Sequence, residues 1–598
     1  MQPFNFCIPP KYLKANPLRF YPVKKNFLLI TYAEADDITN PFTYNDWGIV
    51  IDLDGVIHSK IKLGPLYVNN TTKEWKPGQD SITLNVHRDN GFIRTAPITN
   101  STGFSLQQFK IDENGGIQQI VETVNIFPTG HPLETVATMD GGYALIYPNN
   151  TGLTGSNPIS TTPLTPQFGI YFLLLGYEKG ITQGPFVLYQ TLTPINVLLL
   201  DCDFTYVGVG QTCIIIANST QSDKTFIKID FLSSGTVYNI TTFQNINVTD
   251  YSIQSLRYGG YLSYYLVRNS DKKNFNIYGY IYGYILDYYG ILFNWDLTYP
   301  TLANPVADVL VLPNNTLVIP QPEEGNSWSL LTTDLYKIEG ERDHGYSILH
   351  INTTIPKIGD VIDPSETKFL IIKYYNKIVL SPNRNITILQ DDGTSHGIIR
   401  QITSMTSTGN NGYDKFVELI DDEFSSIINI TIINSTFNKP GGRYYVLIDD
   451  GFASSKDYHE PMIGIQSSAW NFTTLQEDDH ANSIKEKYRK KVNSTRIEGK
   501  VRLTLDGTNY FKSIKHDKIK RKEFFNNLTQ ELVKAIPVSS ERVTSNGRHE
   551  IDTSVSPEQY ILSINIEKAK NEDENSVNSV ADDLDTLIKN KFITLIGS

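Results

Sequence analysis

The sequence is poor in several features that define protein classes. It holds 3 cysteines and 4 methionines among 598 residues. Three cysteines are too few for a disulfide scaffold. Cys202 and Cys213 lie in LDCDFTYVGVGQTCII, where two strands joined by a Gly-containing turn bring them opposite each other. They form either a disulfide or two buried thiols. Cys7 has no evident partner. No run of about eighteen apolar residues occurs, so no membrane-spanning helix is expected. The richest apolar runs, INVLLLDCDF and FGIYFLLLGY, are of strand length and bounded by turn residues. The first residues carry neither the basic nor the apolar region of a signal peptide. The formal net charge is -12, the acidity is spread along the chain, and no basic stripe stands out to neutralise phosphates, which argues against nucleic acid as a partner. HExxH, paired CxxC, GxSxG and P-loop signatures are all missing. No catalytic residue, metal ligand or cofactor site is therefore assigned.

What is abundant is strand-forming residues and glycosylation sequons. Tyr and Ile are plentiful and Ala is scarce, which favours strands. N-x-[ST] occurs about fifteen times, roughly twice the chance frequency. Candidate glycan acceptors are Asn70, Asn100, Asn149, Asn218, Asn239, Asn247, Asn314, Asn352, Asn385, Asn429, Asn434, Asn471 and Asn493. A further sequon, Asn527, falls within a helical pattern beside its apolar stripe. Sequons placed at turns suit glycans and imply the secretory route, while Asn-rich composition is the competing explanation. The expectation is an extracellular or cell-surface chain, lacking its natural N-terminus and attached to a membrane only through a segment outside this sequence.

A repeat organises residues 1–355. MDGGYALIY reads as a turn feeding a strand, and it precedes the hairpin FGIYFLLLGYEKGITQGPFVLY. Similar hairpins carry turn glycines Gly55, Gly116, Gly180, Gly235, Gly290 and Gly345, spaced by 61, 64, 55, 55 and 55 residues. Each unit holds three or four short strands. An all-β period of this length fits a β-propeller of six or seven blades, in which stacking buries faces that one small sheet leaves open.

After residue 355 the rhythm changes. About seven strands over 356–474 suggest a sandwich. The stretch GGRYYVLIDDGFASSKDYHEPMIGIQSSAWNFTT, through Tyr444, Tyr445, Val446, Ile448, Gly451, Pro461, Gly464, Trp470, Phe472 and Thr473, resembles the end of the SbsA-type Ig-like domain of surface-layer proteins. The opening stretch has YYNKIVL in place of that family's usual phrase. The resemblance implies a structural and adhesive spacer. Asp449-Asp450-Gly451 reads as a polar turn or, alternatively, a calcium ligand set. Residues 475–494 form a charged linker. From 495 to 598 the expected order is βαββα: a strand through Val501, Leu503 and Leu505, a helix with Phe524, Leu528, Leu532 and Ile536, a hairpin at Ser556–Glu558, and a helix with Val577, Val580, Leu584, Leu587 and Ile588. This order resembles SEA-like, ferredoxin-like membrane-proximal modules, here truncated before a closing strand, and without the self-cleavage motif of some members. The three parts together resemble fungal multidomain surface proteins.

The functional expectation is a non-enzymatic binding or adhesion ectodomain whose propeller holds an unknown protein or glycan ligand. A propeller-based glycan hydrolase or lyase and a cytosolic scaffold are the alternatives. For the hydrolase, Asp201/Asp203 and Asp421/Asp422 are the carboxylate pairs to test, each otherwise a solvated turn. His131, His344 and His350 show no cluster. Tyr278, Tyr280, Tyr282 and Tyr284 share a strand face that packs against a neighbouring sheet or stacks on sugar.

Overall fold

A computed structural model describes residues 19–594, apart from 66–80, 150–167, 244–251, 270–277, 295–300, 304–308, 405–415, 477–495 and shorter stretches. Asn70, Asn100, Asn247, Asn493, His131, Gly55, Gly290 and Cys7 lie outside the described residues. The chain divides into two compact units, residues 1–343 with 454–463, and residues 344–453 with 464–598. This division falls ahead of the boundary drawn from the repeat.

The first unit is a series of six antiparallel sheets, each made from strands consecutive in sequence. Their leading strands are β1 (Arg19–Val23), β2 (Ser81–Leu84), β3 (Glu134–Ala137), β4 (Asn196–Phe204), β5 (Ser252–Ser255) and β6 (Leu310–Val311). Each consecutive pair of sheets shares one apolar core. Leu29 and Val50 of the first sheet meet Phe92 and Phe109 of the second. Phe172 of the third meets Ile215 and Phe231 of the fourth. Ile214 and Ile216 of the fourth meet Tyr261 and Leu286 of the fifth. Along Gln211–Asn218 the odd and even side chains therefore serve two different cores, which explains why this strand is apolar without alternation.

The turn from the first to the second strand repeats a steric demand. In the fourth and fifth sheets it holds Gly210 and Gly260, at φ +78° and +77°. A Cβ at either would overlap the carbonyl oxygen of Phe231 or Leu286, at the end of the third strand. Gly91 and Gly142 meet the equivalent carbonyls in the second and third sheets. Gly142 belongs to MDGGYALIY, so that stretch is one beat of the repeat. Gly116, Gly180 and Gly235 lie in turns between third and fourth strands, as expected. Gly345 does not: the sixth sheet ends with Trp328–Asp334, and Gly345 lies beyond it in the second unit.

The second unit contains two large sheets from residues 351–474, besides the short strand Ile378–Leu380, which belongs to neither. Their strands are β7 (Ile351–Ile355), β8 (Val361–Ile362), β9 (Phe369–Tyr374), β10 (Asn385–Gln390), β11 (Ile398–Ser404), β12 (Val417–Asp421), β13 (Ser426–Thr431), β14 (Arg443–Ile448) and β15 (Trp470–Thr474). One sheet has the order β7-β9-β13-β12, the other β8-β15-β14-β10-β11, with β8 and β15 parallel. Burial alternates along β9, β13, β14 and β15, as expected where one face of a sheet is covered. Tyr444 and Phe472 are buried and pack with Phe437.

The remaining residues form β16 (Arg496–Arg502), α1 (Leu505–Ile514), α2 (Lys518–Ala535), β17 (Val543–Thr544), β18 (His549–Asp552), β19 (Gln559–Glu567) and α3 (Val577–Lys589). The sheet order is β16-β19-β17, with β18 also paired to β19. The expected single helix before the hairpin is a helical pair. Leu505 is not on the inward face of a strand; it opens α1 and is 43% exposed. Thr504 caps α1, accepting a hydrogen bond from the Gly507 N–H, and ends the strand early. α2 and α3 bury Leu532, Ile536, Val580 and Leu587 in a core that also takes Phe416 and Ile433. Buried Arg400 of β11 donates to the carbonyls of Ala535 and Ser435, both at 2.6 Å, and so closes the end of α2.

Candidate functional site

All six leading strands of the first unit contribute to the wall of one cavity of about 390 Å³. β3 packs between β2 and β4, and β4 against β5. Polar bonds fix this wall. The Thr83 hydroxyl donates to the Thr135 carbonyl at 3.0 Å, and the Thr95 and Thr135 hydroxyls are 2.9 Å apart. The Cys202–Cys213 disulfide clamps β4 to the strand beside it, between directly opposed residues.

Glu134 on β3 and Asp203 on β4 line the cavity. Asp201 lies two residues before Asp203 and therefore on the same face of β4. All three are half-buried, and protein surrounds them. Burial, reinforced by the neighbouring Asp203, pushes the Asp201 carboxyl up to about 8. Burial pushes Asp203 up to about 7, against the opposing pull of the Phe204 N–H. Glu134 is raised well above the usual carboxylate range by burial, then by Asp201 and Asp203, while the Thr135 N–H lowers it. Asp201 Oδ2 is buried and has no hydrogen-bond partner among the described residues. Arg257 also lines the cavity, but no cation is among the groups acting on the three carboxyls. Three neutral carboxylic acids are costly to ionise in such a place unless a positive charge arrives.

Asp201 and Asp203 are thus not a solvated turn; they lie within a strand and are half-buried. Glu134 escaped the sequence reading. The signal that marks it is its place on a leading strand, which becomes visible only when the strands are counted from the Gly142 turn. Asp421 and Asp422 are exposed at a tight turn, with the Ser426 hydroxyl donating to Asp421 at 2.7 Å. Asp449 accepts from the Asn385 N–H and Asp450 from the Gly464 N–H, both at 2.8 Å, so each carboxylate orders its own loop. Among the described residues no three His, Cys, Asp or Glu side chains converge to hold a metal ion. His344 meets the Tyr375 hydroxyl at 2.8 Å, and His350 is buried elsewhere in the second unit. Of the tyrosine stripe, Tyr284 is half-buried; the side chains of Tyr278, Tyr280 and Tyr282 lie outside the described residues.

Among the sequons, Asn239, Asn314, Asn434 and Asn527 are exposed. Asn218, Asn352, Asn385, Asn429 and Asn471 are half-buried, and Asn149 is 2% exposed. Glu460, 3% exposed, also belongs to the first unit. It accepts from the Ser233 N–H and hydroxyl and from Gln211, and burial raises its pKa. These bonds anchor segment 454–463 within that unit.

No protein-family model matches the chain, and no curated protein matches its sequence. Among solved structures, the acylaminoacyl peptidase of Pyrococcus horikoshii is similar at 11% identity and a TM-score of 0.28, over 73% of this chain and 58% of that one. The chain thus matches little more than half the length of that peptidase. The β-propeller domain of the Trilobed protease from Pyrococcus furiosus, described as having an open velcro topology, is similar at 9% identity and a TM-score of 0.18, over 76% of this chain and 99% of that one. Scores this low carry no weight for activity. The class stated by the chain's own geometry is a mainly β protein of many antiparallel sheets.

Proposed function

We propose that this chain is a non-enzymatic binding protein of the cell surface or the secretory route. In this reading residues 19–334 form a six-bladed propeller whose axial cavity receives a cationic group from a protein or glycan ligand. The Ig-like sandwich and the ferredoxin-like module carry it. One observation carries the reading: the leading strands of six sheets meet at one void lined by Glu134 and Asp203, with Asp201 on the same strand face as Asp203, and burial raises all three carboxyls. A Lys or Arg side chain of a basic segment, or an amino sugar, matches that chemistry in charge and size. The disulfide and the exposed sequons Asn239, Asn314 and Asn434 support passage through an oxidising compartment.

Binding a cation here ionises acids that otherwise hold protons near neutrality. Affinity should therefore rise as pH increases through 7 to 8, with proton release. Calorimetric titration with basic peptides and amino sugars at pH 6 and pH 8 checks this, with Asp203→Asn losing about tenfold in affinity. Binding of neutral sugars alone, unchanged between the two pH values, would contradict it.

The clustered acids also favour a second reading, glycan hydrolysis, because a protonated carboxyl in a cleft suits a general acid. That chemistry needs a second carboxylate held ionised, and burial raises all three instead. Release of reducing sugar from glycan substrates, abolished by Asp203→Asn, would favour this second reading.

A further inference from the structure

We propose that the corner between α1 and α2 is a docking surface for a lipid membrane bearing anionic headgroups. The run Lys512–Lys522, KSIKHDKIKRK, holds six Lys or Arg residues and one acid, in a chain whose formal net charge is -12. The overall acidity hides this local concentration. The structure folds the run into the end of α1, a tight turn and the first turn of α2. Lys512, Lys518, Lys520 and Lys522 are exposed.

The acid within the run is already used. Asp517 caps α2, accepting from the N–H groups of Ile519 at 2.9 Å and Lys520 at 3.2 Å. Elsewhere in this module cations have partners: Arg496 with Glu567, Lys500 with Glu550 and Arg502 with Asp552, at 3.3, 2.8 and 2.9 Å. Among the described residues, Lys512, Lys518, Lys520 and Lys522 make no ion pair. The first turn of α2 also lacks any acid. Cations there face the positive end of the helix dipole, so local helix energetics oppose this arrangement. An incoming anion relieves both repulsions at once.

The apolar residues choose the occupant. Ile519, flanked by Lys518 and Lys520, is 76% exposed, and Tyr510 is 59% exposed. A soluble polyanion would satisfy the lysines and leave Ile519 in water. A bilayer interface accepts both, with ammonium groups at the headgroups and Ile519 and Tyr510 among the acyl-chain ends. This inference is independent of the cavity reading.

The test is co-sedimentation of the full chain with phosphatidylcholine vesicles, with and without phosphatidylserine. Binding is expected only to the anionic vesicles, and it should weaken with salt. Combined Lys518→Glu, Lys520→Glu and Lys522→Glu should reduce it about 100-fold, at about fivefold per basic residue removed. These changes place acids at a helix N-terminus, so folding is retained, and circular dichroism verifies it. Ile519→Ser should weaken binding about fivefold, separating apolar insertion from charge alone. Three outcomes would overturn the inference: equal binding to neutral vesicles, wild-type binding by the triple variant, or binding to heparin with none to vesicles.

Discussion

Two regions of the first unit bury aspartate, and they treat it in opposite ways. Between the first and second sheets, Asp46 is 7% exposed and meets Arg94, whose Nε lies 3.2 Å from its Oδ2. Arg94 is itself buried and also donates to Gln107 Oε1 at 3.1 Å and to the carbonyls of Leu63 and Pro65. At the cavity, neither Asp201 nor Asp203 makes an ion pair among the described residues, and burial raises both. The first arrangement joins two sheets. The second holds an unmet electrostatic demand in an open space. A buried acid with its cation built in reads as architecture; a buried acid without one reads as a place for something else to bind.

The largest expected effect lies on the paired side. Arg94→Met removes the guanidinium and leaves Asp46 buried without it, which should destabilise the protein by about 3–5 kcal/mol in urea unfolding. A cost near zero would mean that the pair is not the joint it is taken for, and the contrast would collapse. The smaller effect lies on the cavity side and has the opposite sign. The folded pKa of Asp201, about 8, lies above the ordinary value near 4, so the folded state holds its proton over a range where the unfolded chain has lost it. Stability contributed by that proton is present at low pH and declines as pH rises from about 4 to about 8. Asp201→Asn removes this decline. After discounting for water within the cavity, the variant should gain about 1–2 kcal/mol over wild type between pH 5 and pH 9. Parallel stability profiles for the two proteins would remove the distinction between the regions.

The repeat was legible in the sequence because its physics is local: a turn, then strands whose length and apolar content are set within a few residues. Its glycines were chosen less well. Gly180 was read as a beat of the repeat, yet a Cβ there would meet only Val124, at an ordinary 3.5 Å. Gly91, Gly142, Gly210 and Gly260 tolerate no side chain, because the third strand of each sheet brings a carbonyl against them. Of the site, the sequence offers Asp201 and Asp203 only as a carboxylate pair that a solvated turn also explains. Glu134 was not legible, because its neighbours come from another sheet. The α1–α2 pair was missed for a different reason. Alternating Val501, Leu503 and Leu505 imitate a longer strand, and the Thr504 cap that interrupts them is a single residue.

The most direct test of the central claim is the infrared difference spectrum of the carboxyl groups between pH 5 and pH 9, for wild type and for Asp201→Asn with Asp203→Asn. The account predicts a protonated-carboxyl band in the wild type at pH 7 that falls by pH 9, and a smaller band in the double variant, where Glu134, Glu460 and Asp583 supply what remains. Complete ionisation of every carboxyl by about pH 5 in the wild type would contradict it.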